Sequence, residues 1–293
     1  MSTTPQSSDT TRQSSQTPWA GLTLHVEGPA ASLRRIAAVA GQTVREAGRN
    51  RLFYGLLAAA VLLLVSSIVL SDLALVDQKA RLVQDFGLFT IPLLGVGTAI
   101  LLGALLLYKE IERKTLYAIL PKPVRRSEFL LGKFMGLALL LAGEVALLAA
   151  CWLGVLSLRG GVITAALGHA LVLAYAEVLL VTSVALFFSA LSRPVLSGVL
   201  TAGVFLVGRV AYVGQDLLGA QKGAFVEDPA MRAFGKVLVA VVPDLSTFQV
   251  ADEVLLGWGV PLDYVAAALG YGACWTVVFL IGAVLVFEKR DLT

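Results

Sequence analysis

Charge is what this chain has least of. Asp, Glu, Lys and Arg make up 15% of its 293 residues, against 57% hydrophobic residues and a mean hydropathy of +0.82. A soluble domain carries about a quarter charged residues, so the balance excludes an ordinary soluble domain and points to a polytopic membrane protein. Histidine is scarcer still, with only His25 and His169. There is no HExxH pattern, no cluster of His, Cys and carboxylate, and no GxSxG elbow. Those absences remove the usual equipment of a membrane metalloprotease or serine hydrolase. A GxxxxGK[ST] loop is also missing: "GKF" at Gly132 lacks the hydroxyl, and "RKT" at Arg113 lacks the glycines whose amides cradle phosphate. Nucleotide is therefore not bound in the P-loop manner. Cys151 and Cys274 both fall inside apolar runs, where they read as small packing residues rather than a disulfide or a metal pair.

What the chain does have is apolar length. A bilayer core about 30 Å thick needs roughly 20 apolar residues at about 1.5 Å rise each. Six segments meet that length: 52–71, 86–108, 134–157, 164–190, 195–213 and 264–287. Each is expected to be helical, because lipid offers no partner to an unpaired backbone amide. Lys and Arg set the orientation. Sixteen of the 23 lie before the first span, between the second and third, between the fourth and fifth, or after the sixth. The expectation is six spans with both termini in the cytoplasm.

Residues 1–30, rich in Ser, Thr and Gln and without an apolar core, read as a disordered cytoplasmic tail rather than a signal peptide. Over 31–50, Leu33, Ile36, Ala40 and Val44 share one helical face, and Arg35, Gln42, Arg45 and Arg49 lie opposite. That pattern predicts a basic amphipathic helix lying in the headgroup layer before the first span. At the other end of the chain, 214–263 is an outer segment with an apolar stretch at 237–242 that is too short to cross. Pro243 stops the stretch, and Asp244 or Ser246 is placed to cap a helix starting just after it. A short helix that dips into the outer leaflet and returns fits this pattern.

Ionisable groups inside the spans need a reason, since each costs about 2.5–3.5 kcal/mol at mid-depth. Glu144 and Glu177 lie near mid-depth, and either lines a transport path or is a neutral acid bonded to a neighbouring helix. His169 and Arg209 lie near the outer ends, within snorkelling reach of the interface.

The densest charge is at 109–133, which is net +4. "EIERKTLYAIL" extends the second span as a helix, "PKP" forbids its continuation, and "SEFLLGK" restarts it with Ser127 placed as a cap. The positive-inside rule explains the basic residues. It does not explain alternating acid and base around an apolar Leu-Tyr-Ile-Leu set, which suits a docking surface for another protein.

The pattern E-x-E-R-K-T-L-x-x-I-L-x-K-P-V-x-R-x-E-F-L-x-G-K from Glu110 to Lys133 resembles the segment between spans two and three of ABC-2 type transporter permeases. The helix before span one is similar to that family's elbow helix, "VVPDLSTF" to an element of its outer re-entrant region, and "FEKRDL" to its C-termini. The resemblance covers 31–293 and implies an all-α integral membrane protein with six transmembrane helices. An N-terminal elbow helix (31–50), a coupling segment (109–133) and an outer re-entrant segment (214–263) go with it. It further implies a subunit in a bacterial inner membrane, paired with a second permease subunit and with two copies of an ABC ATPase that supplies ATP and Mg. Periplasmic or accessory proteins are possible further partners; nucleic acid is not expected. By motif match the coupling residues are Glu112, Lys114, Thr115, Leu116, Tyr117, Lys122, Arg125, Arg126 and Glu128. The alternative is a proton-coupled secondary transporter that uses Glu144 and Glu177. The short outer segments suit a small amphipathic or lipid-like cargo, or mechanical work with no cargo.

Overall fold

The structure, a computed structural model, describes residues 29–73, 78–112, 125–211 and 241–289, with side chains at 29–30 and 106–112 left out. Eight α-helices account for most of it: α1 Pro29–Gly48, α2 Arg51–Leu73, α3 Lys79–Glu112, α4 Arg126–Leu158, α5 Ala165–Leu191, α6 Pro194–Arg209, α7 Ala251–Leu255 and α8 Leu262–Lys289. No strand occurs among the described residues. Local chemistry marks the breaks. Asn50 Oδ1 accepts the Leu52 N–H at 3.1 Å and starts α2. Gly160, at φ +74°, ends α4 in the left-handed conformation that glycine tolerates best. Pro194 occupies the first turn of α6, where its missing N–H costs nothing.

Among the described residues, five helices are long and apolar enough to cross a membrane: α2, α3 over Lys79–Leu105, α4, α5 and α8. The fifth expected span, 195–213, is less complete. The helix there, α6, has 16 residues, or about 24 Å of rise, short of a bilayer core of about 30 Å. Residues 212 and 213 lie outside the described set, as do 1–28, most of the expected coupling segment and 212–240.

At the centre stands α5. Within its most apolar window 67% of residues are buried, against 22% for α2 and 17% for α8, so α5 is the hub and the other two are peripheral. It packs on α3 and α8, while α2 packs on α3 and α1 on α4. Small residues allow the closest approaches: a Cβ on Gly103 of α3 would sit 2.6 Å from that of Ala185 on α5. Trp152 of α4, fully buried, donates its indole N–H to the Val83 carbonyl of α3 at 2.9 Å. Its ring occupies the space that a Cβ on Gly87 would need, about 2 Å away. Tyr175 of α5 donates to the Ala138 carbonyl of α4 at 2.9 Å. In a bundle surrounded by lipid these bonds fix register, because apolar contact alone does not distinguish a helix from a lipid tail.

Within the expected outer segment, the described part 241–263 folds back on the bundle. The Leu245 N–H donates to the Gly208 carbonyl at 3.0 Å, and a Cβ on Gly208 would lie 2.6 Å from the Pro243 oxygen. Asp244 Oδ1 accepts both the backbone N–H and the hydroxyl of Ser246, opening a 3-10 turn over Ser246–Phe248. Asp244 is therefore the acceptor that shapes this turn. The apolar stretch at 237–242 falls mostly outside the described residues.

Candidate functional site

α1 lies along the first turns of α4, and the seat is cut by glycine. Gly132 and Gly136 are spaced G-x-x-x-G on one face of α4. A Cβ on Gly132 would meet Val39 at 2.6 Å, and one on Gly136 would meet Thr43 at 2.6 Å and the Ala40 carbonyl at 2.7 Å. Only hydrogen in place of a side chain allows this approach. The buried face of α1 therefore runs through Ala40, Thr43 and Ala47. This rotates the face expected from the sequence: Leu33 is 67% exposed, and Arg35 turns inward.

Arg35 turns inward because Glu128 is there. Its carboxylate accepts from Arg35 Nε at 3.0 Å, from Arg35 Nη2 at 3.0 Å and from the Ser32 hydroxyl at 2.6 Å. Glu128 also reaches back to accept the Arg125 N–H at 3.2 Å. The cap of α4 is thus Glu128 in the first turn and not Ser127, which lies inside the helix that begins at Arg126. A planar guanidinium facing both carboxylate oxygens is the strong form of this contact. Lys133 adds a second bridge across the same seat, 3.4 Å from Glu46 and over the Phe129 ring.

On its other flank the start of α4 is tied to the end of α8. Arg126 Nη1 donates to the Phe287 and Glu288 carbonyls at 3.0 and 2.9 Å. Those are last-turn carbonyls, which lack helical donors and carry the negative end of the helix dipole. Phe129 stacks on Phe287, and Leu130, Ala190, Ala283 and Phe287 close an apolar cluster beneath. Arg126 and Glu128 are thus both held by partners in the same chain, and they join α1, α4 and α8 into one foot. Arg125 is exposed at its rim. Glu112 ends α3, its side chain outside the described set. Lys114, Thr115, Leu116, Tyr117 and Lys122 lie wholly outside the described residues.

The two carboxyls inside the bundle are separate. Glu144, on α4, is 2% exposed; its Oε1 lies 2.8 Å from the Thr98 hydroxyl of α3, and its Oε2 has no partner among the described residues. Thr98 is also 2.9 Å from the Leu94 carbonyl. One hydroxyl has one proton, so it cannot donate to both acceptors. A neutral Glu144 completes the chain by donating to Thr98, which then donates to Leu94.

Glu177, on α5 and 1% exposed, instead accepts from Arg209 Nη1 at 2.8 Å. Arg209 therefore does not snorkel to the interface as the sequence suggested. It turns down from the last turn of α6, with its guanidinium over the Phe205 ring. The signal was present in the sequence as two opposite charges on consecutive apolar segments, which membrane interiors pair with one another. His169 is likewise committed, with Nδ1 3.0 Å from the Val260 carbonyl. Among the described residues no hydrogen bond joins Glu144 to Glu177.

Comparison with known proteins agrees with the helical, membrane-spanning architecture. The model of the family described as "ABC-2 family transporter protein" matches residues 37–292, from the middle of α1 to beyond the end of α8. No curated protein matches the chain. With the family model covering nearly the whole length, the chain belongs to the ABC-2 family of transporter proteins.

Proposed function

We propose that this chain is the permease subunit of an ATP-driven transporter, energised by a separate ABC ATPase that docks on 109–133. In this reading α6 and the residues after it complete a sixth span, and 1–30 form a cytoplasmic tail. Residues 31–50 are the elbow helix, 214–263 re-enter the outer leaflet, and both termini face the cytoplasm of a bacterial inner membrane. The working unit is two permease chains with two ATPase subunits, which hold ATP and Mg. The family match carries the reading, and the foot supports it. The segment runs through Arg125 into the first turns of α4, which Glu128 and Arg126 fasten to α1 and α8. Movement of the segment is then shared by three helices. Glu128 and Arg126 act as positioning residues, while Glu112, Lys114, Thr115, Leu116, Tyr117, Lys122 and Arg125 meet the ATPase. Cargo is a small amphipathic or lipid-like compound, or the complex does mechanical work for the envelope.

The test is co-purification with the P-loop subunit and ATPase activity of the complex. Leu116→Asp and Arg125→Glu are expected to abolish stimulated ATPase activity or capture of the ATPase, with the permease still folded. Unchanged capture and activity in both variants overturns the proposal. The second reading, proton-coupled transport through Glu144 and Glu177, draws on their burial inside the bundle. It predicts transport by the chain alone, driven by a pH gradient and lost in Glu144→Gln or Glu177→Gln.

A further inference from the structure

Charge at the foot does not balance. From Pro29 to Tyr54 the chain carries five arginines and one acid. Arg35 is taken by Glu128, and Glu46 is taken by Lys133. Arg34, Arg45, Arg49 and Arg51 remain, all exposed and without a side-chain hydrogen bond or ion pair among the described residues. Elsewhere, exposed basic residues such as Arg81, Arg193 and Lys289 stand singly.

The four lie beside the start of a membrane span. Arg51 is the first residue of α2, which is long and apolar enough to cross a bilayer. Arg49 and Arg45 precede it by two and six residues. Arg34 and Arg45 are three turns of α1 apart, about 16 Å, and so share one face. That face is turned away from the seat that Val39, Ala40 and Thr43 make on Gly132 and Gly136. The flanks of the arginine face are apolar. Leu52 and Tyr54 are exposed in the first turn of α2, and tyrosine favours the headgroup level of a bilayer. On α4, Leu131, Met135 and Leu139 form an exposed strip next to the glycine seat. Four arginines without an acid call for anions, and the apolar flanks call for anions that carry chains. Guanidinium forks match phosphate oxygens in pairs, and a basic cluster next to a membrane-crossing helix draws anionic lipid.

We propose that these four arginines bind the phosphodiesters of anionic phospholipid, one headgroup at Arg45, Arg49 and Arg51 and a second at Arg34. The acyl chains lie against Leu52, Tyr54 and the exposed strip of α4. Lipid then holds α1 on its outward face while Glu128 and the glycine seat hold it on the inward one. The placing rests on α2 crossing the membrane, so it stands whether or not 109–133 docks an ATPase.

Native mass spectrometry of the full-length chain in detergent tests it. Phosphatidylglycerol and phosphatidylcholine of the same chains are offered separately, and glycerophosphoglycerol is added as the chainless competitor. Phosphatidylglycerol is expected to be retained about tenfold more strongly than phosphatidylcholine, the scale of one or two basic residues at an anionic surface. The chainless diester is expected not to displace it at equal concentration. The double variant Arg45→Gln, Arg49→Gln breaks no described side-chain contact. It is expected to remove most of that preference and to leave phosphatidylcholine retention unchanged, which also reports an intact fold. Arg193→Gln with Lys289→Gln removes the same charge from the same end of the bundle, close to the cluster of Ala190 and Phe287, and is expected to keep the preference. Equal retention of the two lipids, displacement by the chainless diester, or an equal loss in the Arg193 and Lys289 variant each overturns the proposal. So does loss of ATPase capture in the Arg45 and Arg49 variant with phosphatidylglycerol retention unchanged, because that result gives the face to a protein partner.

Discussion

Glu128 and Glu144 stand on the same helix, about four and a half turns apart, and both are almost fully buried. Their surroundings are opposite. Glu128 receives the Arg35 fork, the Ser32 hydroxyl and the Arg125 amide, so both oxygens of an ionised carboxylate are answered. Glu144 has one hydroxyl neighbour and one oxygen without a partner among the described residues. The first is a joint, held by charge across two helices. The second is a polar group tolerated inside the bundle, where the neutral acid is the form its neighbours can satisfy. Burial alone therefore says little about what a carboxyl does in a membrane protein. The donors that the next helix brings decide it.

The largest effect is expected from Glu128→Leu. Breaking a buried ion pair by removing one partner costs about 3–5 kcal/mol, and the low end applies here because Arg35 reaches solvent on one side. In detergent, thermal unfolding should shift to lower temperature. Limited proteolysis should cut within 29–48, because α1 loses its anchor to α4. If Glu128→Leu and Glu144→Leu are equally mild, the distinction between joint and tolerated acid fails.

A smaller loss is expected from Gly136→Val, which attacks the same joint through packing. The added Cβ would lie 2.6 Å from Thr43 and 2.7 Å from the Ala40 carbonyl, so α1 must lift away or α4 must bend. Overpacking of this kind costs about 1–3 kcal/mol. The proteolytic signature should match that of Glu128→Leu, since both release α1. A variant that unfolds earlier yet keeps α1 protected would show that the glycine seat and the carboxylate clamp are independent.

How far the sequence discloses this joint depends on which part is considered. The apolar runs are legible because a bilayer imposes a length, and five of the six expected spans return as helices of adequate length and hydropathy. Glu144 and Glu177 are legible as exceptions within those runs. The direction of Arg35 is not. A helical wheel drawn on α1 alone places Leu33 on the buried face and Arg35 opposite, since it assumes an apolar partner. The actual partner is α4, which offers a carboxylate and two glycines, and α1 turns to meet them with Arg35, Ala40 and Thr43. The Gly132-x-x-x-Gly136 spacing could have revealed that seat. Arg209 is misjudged for a related reason. Position along the chain suggests an interface, whereas Arg209 pairs with Glu177 on the preceding helix. Pairing between segments is a tertiary fact, and periodicity within one segment does not contain it.

The smallest effect, and the sharpest test of the comparison, is Glu144→Gln. The amide keeps the shape of the acid and carries no charge, and its NH2 group can donate to Thr98 as the neutral carboxyl does. The chain of hydrogen bonds to the Leu94 carbonyl survives, so stability should change by about 1 kcal/mol or less, the worth of one altered hydrogen bond. Glu128→Gln, measured beside it, should lose much more, because the Arg35 guanidinium is left facing a neutral amide. Thr98→Val supplies the cross-check. It removes the one partner Glu144 has among the described residues and should cost about 1–3 kcal/mol in the wild-type background. In the Glu144→Leu background it should cost less, since replacing both partners by apolar groups leaves nothing unsatisfied. A large loss in Glu144→Gln would mean that this carboxyl is ionised and bound to a cation, and that the two sites on α4 follow one rule after all.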